Sequence, residues 1–259
     1  EHMRIRSKGS WITLNDTIAG MNIICAADWK LLSACTDATL ADLRYLNIEH
    51  VERKHLSVLK KVSHPNLVIS IEYCSQQDFD AVMSFLKPTG LVVQNSHKST
   101  GITTLSTLSR QTDLSSLILQ QCSSLTNLSG LEDCKNLSFV LIENCSDLCS
   151  VGALGSSPVL TRLKIAKCPR LTSIDALSSS SALESVRLED CGALRHLPKD
   201  GFKTLKGLNL TRCTALSDLA SLARMPSLVA LKLDEISPQA ELSSISQVIS
   251  LTSLCLSTD

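Results

Sequence analysis

From Leu114 onward the apolar positions of the chain recur on a fixed frame. Leu114, Leu117, Leu119, Cys122, Leu125, Leu128 and Leu131 open it, and it restarts at Leu137, Leu160, Leu183, Leu205, Leu228 and Leu251, at intervals of 23, 23, 23, 22, 23 and 23 residues. Within it the spacing L-x-x-L-x-L-x-x-C returns at Leu160, Leu163, Ile165 and Cys168, at Leu183, Val186, Leu188 and Cys191, and at Leu205, Leu208, Leu210 and Cys213. A period of this length, held over six copies, marks a repeat architecture in which each copy is one supersecondary unit.

Two shorter periods lie inside each unit. The alternation in L-x-L sends one row of side chains inward and the other to solvent, which predicts a short strand. The apolar residues at every third position after it (Leu125, Leu128, Leu131) predict a tight helical or extended return on the opposite side. One unit cannot close its own core, whereas stacked units bury a continuous leucine column and align their strands as a parallel sheet. The expected fold is therefore an α/β solenoid, right-handed and curved, with the sheet on its concave face and short helices or 3₁₀ turns on its convex face.

Extended backward, the frame fits Leu43, Leu46, Ile48 and Val51, then Ile69, Ile71 and Cys74, then Leu91 and Val93. From Leu91 to Leu117 the interval is 26 residues, which predicts an insertion near Ser96 to Gly101. Ile23 and Cys25 fit a degenerate first unit, giving about ten units over 20–259. Residues 1–19 are assigned to a vector-derived remnant (Glu1-His2-Met3) and an N-terminal cap around Arg4 to Thr17. Leu56, Leu59 and Val62, and likewise Phe79, Val82, Met83 and Leu86, predict true helices in the returns Val51 to Val62 and Ser75 to Leu86. From residue 122 onward Ser, Asp, Gly and Pro interrupt the returns and predict shorter turns. Leu251, Leu254 and Leu256 open another strand just before the last residue, so the repeat array is expected to be truncated there, with further sequence or another molecule covering the last layer.

These units resemble leucine-rich repeats, over roughly residues 20 to 259. The return L-x-x-L-x-x-L is similar to the short-repeat branch that includes internalins and the leucine-rich regulatory subunit of protein phosphatase 1. Those families carry Asn where Cys122, Cys145, Cys168, Cys191 and Cys213 stand, and their unit is a residue shorter. Cysteine at that place is more similar to the repeats of trypanosomatid leucine-rich proteins and plant immune receptors. The resemblance implies protein recognition without catalysis and supplies no ligand.

The chain holds 25 basic and 25 acidic side chains, 44% apolar residues and only 3% aromatic ones. Balanced charge leaves no footprint for nucleic acid or an anionic membrane, and no apolar run approaches the roughly 20 residues that span a bilayer. Eleven cysteines would suggest a disulfide framework in a secreted chain. Five of them share one inward position of successive units, where equivalent Cβ atoms lie about 4.8 Å apart, beyond disulfide reach. They are expected as free structural thiols in a reducing compartment, cytoplasmic or cytoskeleton-associated, with Cys35, Cys134 and Cys149 as candidates for surface reactivity.

Cys145 with Cys149, and His50, His55 and His64, match no zinc-site spacing, so no metal is expected. No G-x-S-x-G and no glycine-rich phosphate loop is present, so neither catalysis nor a cofactor is expected. Five N-x-S/T triplets, beginning at Asn15, Asn127, Asn136, Asn144 and Asn209, keep an extracellular recognition ectodomain open as an alternative. A regulatory or adaptor subunit of a phosphatase, ligase or signalling enzyme is the other alternative to a scaffold.

The outward strand positions supply the candidate site. The fifth-position column runs Ile118, Leu141, Lys164, Arg187, Asn209, Lys232, and the third-position column contributes Tyr45, Val68, Phe139 and Arg162. An apolar patch of Ile118, Phe139 and Leu141 thus adjoins a basic stripe of Arg162, Lys164, Lys167, Arg187 and Arg212. This pairing predicts docking of an acidic, apolar-anchored protein or peptide. The competing expectation is that Glu189, Asp190, Asp234 and Glu235 neutralise the stripe.

Overall fold

The structure, a computed structural model, describes residues 4–7, 10–13, 20–23, 26–95 and 101–257. Two strands, β1 (Arg4–Ser7) and β2 (Ser10–Thr13), pair antiparallel as a separate sheet within the span expected for the N-terminal cap. The remaining strands are β3 (Gly20–Ile23), β4 (Tyr45–Ile48), β5 (Val68–Glu72), β6 (Gly90–Gln94), β7 (Ser116–Gln120) and β8 (Phe139–Glu143). They continue with β9 (Arg162–Ala166), β10 (Ser185–Glu189), β11 (Gly207–Thr211), β12 (Ala230–Asp234) and β13 (Ser253–Ser257). These form an 11-stranded sheet in strict chain order, with every neighbouring pair parallel. The molecule is a leucine-rich-repeat solenoid of the α/β class.

The register of the sheet is the frame read from the leucines. Leu117 faces Val140, Val140 faces Leu163, Leu163 faces Val186 and Val186 faces Leu208. Leu117, Leu119, Val140, Ile142, Leu163, Ile165, Val186, Leu188, Leu208 and Leu210 are at most 2% exposed. The 26-residue interval holds as well, because Leu91 pairs with Leu117 in the same register. The expected insertion, Ser96 to Gly101, lies outside the described residues except for Gly101, and Cys25 lies outside them as well.

The two early returns differ in the way their spacing dictates. Gln76–Met83 is an α-helix (the third in the chain, after α1, Ala26–Ala34, and α2, Asp37–Ala41) that buries Phe79, Val82 and Met83, an i, i+3, i+4 pattern. Ser75 caps it, accepting from the Asp78 N–H at 3.2 Å. Arg53–Lys61, expected as a helix of the same kind, is instead 3₁₀. Leu56, Leu59 and the C-cap residue Val62 are buried at a spacing of three, which three residues per turn stack on one side, and Val58 is buried as well. Later returns carry 3₁₀ turns at Ser106–Arg110, Gly152–Ser156, Asp175–Ser179, Ala220–Arg224 and Leu242–Gln247.

Seven strands, β5 and β7 to β12, are left through a residue that the apolar pattern does not mark. Tyr73, Gln121, Asn144, Lys167, Asp190, Arg212 and Glu235, at equivalent places in their units, have φ between 48° and 57°. Their N–H groups still donate to the next strand, as from Gln121 to Glu143 O at 2.8 Å and from Arg212 to Asp234 O at 2.8 Å. The left-handed residue turns the chain off the sheet, and the residue after it, cysteine in six units, points back into the core.

Those cysteines form a ladder of buried thiols. Cys145 Sγ donates to Glu143 O at 3.7 Å, Cys168 to Ala166 O at 3.5 Å and Cys191 to Glu189 O at 3.5 Å. Hydrogen bonding with Cys122 together with burial pushes Cys145 up to about 12, and burial pushes Cys74 to about 12 and Cys213 to about 11. Such thiols stay protonated and unreactive. Cys35 and Cys134, expected among the reactive candidates, are buried as well. Cys134 continues the triplet Leu125, Leu128, Leu131 and donates to Leu108 O at 3.4 Å. Among the described cysteines, only Cys149 and Cys255 are exposed.

Candidate functional site

The solvent face of the sheet is built from the third, fifth, seventh and eighth positions of each unit. Strand pairing fixes which side chains adjoin. In the fifth-position column Val92, Ile118 and Leu141 succeed one another on β6, β7 and β8, followed by Lys164 on β9 and Arg187 on β10. All three apolar members are half-buried although they point away from the core. Phe139, also half-buried, precedes Leu141 on the same face of β8 and is the register partner of Arg162. The Arg162 guanidinium carbon lies 5.5 Å from the Phe139 ring centroid, within the range of a cation–π contact.

Ile118, Phe139, Leu141, Arg162 and Lys164 therefore form one contiguous patch across three strands, with Arg187 beside Lys164 on the next. Val92 belongs to it and escaped the sequence reading, because the interval of 26 residues separates its unit from the regular ones. Tyr45 and Val68 do not belong. They sit on β4 and β5, and Gly90 and Ser116 interrupt the third-position column before Phe139.

The basic stripe is partly neutralised, with Glu189 and Asp190 among the carboxylates that engage it. Lys164 pairs with Glu189 at 3.3 Å, Lys167 with Glu143 at 3.9 Å and Lys232 with Asp234 at 3.0 Å. Arg212 holds Asp190 through two hydrogen bonds, the longer at 2.9 Å, and this contact keeps the Asp190 carboxyl below its usual range. Lys232 does the same to Asp234. Arg162 and Arg187 differ: both are exposed, and neither makes an ion pair among the described residues. The positive character of the face is thus concentrated in two arginines on one side of the apolar patch, Arg162 on the adjoining strand and Arg187 one strand further.

Among the described residues no three His, Cys, Asp or Glu side chains are placed to hold a metal ion. His50 and His55 instead flank Glu52, at 3.8 and 3.6 Å, and with Lys54 at 3.2 Å form an ordinary charged cluster at the start of the first 3₁₀ segment. Hydrogen bonding from Lys54 holds the Glu52 carboxyl below its usual range. Clefts occur among the return segments, one of about 470 Å³ lined by Ser217, Asp218, Gln239 and Glu241, and one of about 600 Å³ lined by Lys60, His64, Phe85 and Asp113. No helix among the described residues is long and apolar enough to cross a membrane.

Neither a protein-family model nor a curated protein matches the chain. Among solved structures it is similar to the leucine-rich repeat domain of the type III effector XopL, at 17% identity and a TM-score of 0.47, covering 76% of this chain and 71% of that one. It is also similar to a leucine-rich repeat protein of Leptospira interrogans, at 14% identity and a TM-score of 0.42, covering 92% of this chain and 72% of that one.

Proposed function

We propose that the chain is a non-catalytic recognition module, residues 20–259, whose solvent sheet face docks an acidic peptide or protein surface carrying an apolar anchor. One observation carries this reading: Ile118, Phe139 and Leu141 form an apolar patch with Arg162 on the adjoining strand and Arg187 one strand beyond it, two cations that no carboxylate of the described chain engages. Apolar side chains on the outer face of a mid-sheet strand add nothing to the core, and removing them from water is what a partner would gain. Aromatic residues beside arginine are a frequent composition of interface hot spots.

In this reading Phe139 and Leu141 anchor the partner and Ile118 extends the apolar floor. Arg162 and Arg187 orient its carboxylates, while Lys164, shared with Glu189 at 3.3 Å, contributes less. Neither cofactor nor metal takes part. The buried free thiols favour a reducing compartment over an extracellular one. A scaffold role and a regulatory role beside an enzyme would use the same surface.

The test is selection from a displayed random peptide library on the immobilised chain, run in parallel on a Phe139→Ala/Arg187→Glu variant that retains its thermal midpoint. The expected outcome is enrichment of peptides with carboxylates next to a large apolar residue on the wild type alone. Equal enrichment on both proteins would move the binding surface elsewhere.

A further inference from the structure

On the other side of the apolar patch, toward β4, the solvent face of the sheet carries charge of the opposite sign. Glu72 on β5 opens a seventh-position column that continues through Gln94, Gln120 and Glu143. Glu49, the residue after β4, adjoins Glu72 because Ile48 is the register partner of Ile71. Later carboxylates of this column are engaged, Glu143 with Lys167 at 3.9 Å, Glu189 with Lys164 at 3.3 Å and Asp234 with Lys232 at 3.0 Å. Glu49 and Glu72 make no ion pair among the described residues, and like charges side by side on a sheet repel. Asn47, outward on β4, donates from Nδ2 to Glu49 Oε1 at 3.2 Å. Its own Oδ1 has no hydrogen-bond partner although the residue is only 7% exposed. Two carboxylates and an amide oxygen thus lie together without a cationic donor, a set that suits an ammonium or guanidinium group.

The order across the face is therefore unpaired carboxylates at β4 and β5, apolar Val92, Ile118 and Leu141 on β6 to β8, then Arg162 and Arg187 on β9 and β10. We infer that the segment docked here is bipolar. A lysine or arginine at one end lies over Glu49 and Glu72, a large apolar residue over Ile118 and Leu141, and an acidic residue at the other end over Arg162 and Arg187. The inference rests on the recognition face proposed above and adds a cationic determinant to it. Glu72 and Arg162 are four strands apart and four positions apart along the strands, about 19 Å by about 13 Å. The diagonal of roughly 23 Å is what about seven extended residues span. A uniformly acidic segment of that length would set its far end against Glu49 and Glu72.

The test selects displayed random peptides on the wild type, on Glu72→Lys and on Glu49→Gln/Glu72→Gln, each retaining its thermal midpoint; the glutamine variant keeps both side-chain volumes and an acceptor for Asn47. Wild-type peptides are expected to carry a cation on one side of the apolar residue and a carboxylate on the other, and Glu72→Lys peptides carboxylates on both sides. A synthetic copy of a wild-type peptide is expected to bind either variant about fivefold or more weakly. Selected peptides that lack the cation, or wild-type affinity in both variants, would overturn the bipolar reading and leave the recognition face standing. Binding that survives Phe139→Ala/Arg187→Glu, or no enrichment at all, would remove the face and this inference with it.

Discussion

Arg162 and Phe139 are direct register partners on adjacent strands, and the guanidinium lies 5.5 Å from the ring centroid. The contact links the apolar patch to its flanking charge and holds the arginine over the sheet. Single and double alanine replacements are expected to show a coupling of about 0.5–1 kcal/mol in unfolding free energy, read from urea midpoints. Strict additivity would mean that the two side chains do not engage in solution.

Leu163 tests the core frame. It is 2% exposed, between Val140 and Val186 in the leucine column. Leu163→Asp would bury a carboxylate without a partner, and a loss of about 4 kcal/mol or more is expected. A soluble variant with an unchanged thermal midpoint would contradict the inward assignment.

The thiol ladder carries a pH dependence of definite sign. Cys145, Cys74 and Cys213 are raised from the ordinary thiol value of 9.0 to about 12, 12 and 11. The folded state thus holds these protons more tightly than the unfolded one. Their contribution is intact below pH 9 and is lost as pH rises toward 12, by up to about 1.4 kcal/mol per pH unit for each thiol. Thermal midpoints measured from pH 8 upward are expected to fall in that window, and to fall less steeply in Cys145→Ala. Identical slopes in the two proteins would assign alkaline unfolding to other groups.

At Gln121, φ is 57°, in the left-handed region. A side chain there costs the backbone energy that glycine avoids, while the N–H bond to Glu143 O at 2.8 Å is available to either residue. Gln121→Gly is therefore expected to raise stability by about 0.5–1 kcal/mol in urea unfolding, against the usual penalty for glycine. A loss of stability would show that the Gln121 side chain contributes more than the strain it imposes.

These positions also show where sequence reading stops. The leucine frame fixes strand order, register and the buried columns, because a slip of one residue would expose every core side chain. Most of the left-handed residues were not readable, since Tyr73, Gln121, Lys167, Arg212 and Glu235 are not the glycine, asparagine or aspartate that tolerates such a turn. Helix type was readable only from finer spacing: Leu56, Leu59 and Val62 recur by threes and form 3₁₀, whereas Phe79, Val82 and Met83 recur by three and four and form α. At the candidate site the columns named Ile118, Phe139, Leu141, Arg162, Lys164 and Arg187 as neighbours. They could not show which cations were already engaged. Ion pairing of Lys164, Lys167 and Arg212 depends on side-chain reach across strands, which the spacing of residues along the chain does not reveal.

The recognition face is tested most directly by titrating one selected acidic peptide against the wild type, Phe139→Ala and Arg187→Glu, each shown to be folded, with a charge-reversed peptide as the fourth arm. The expected result is a loss of at least about tenfold in affinity for each variant, as truncating a hot-spot residue by more than ~1.4 kcal/mol would cause, and recovery when Arg187→Glu meets the basic peptide. Wild-type affinity in both variants would contradict a docking role for this face.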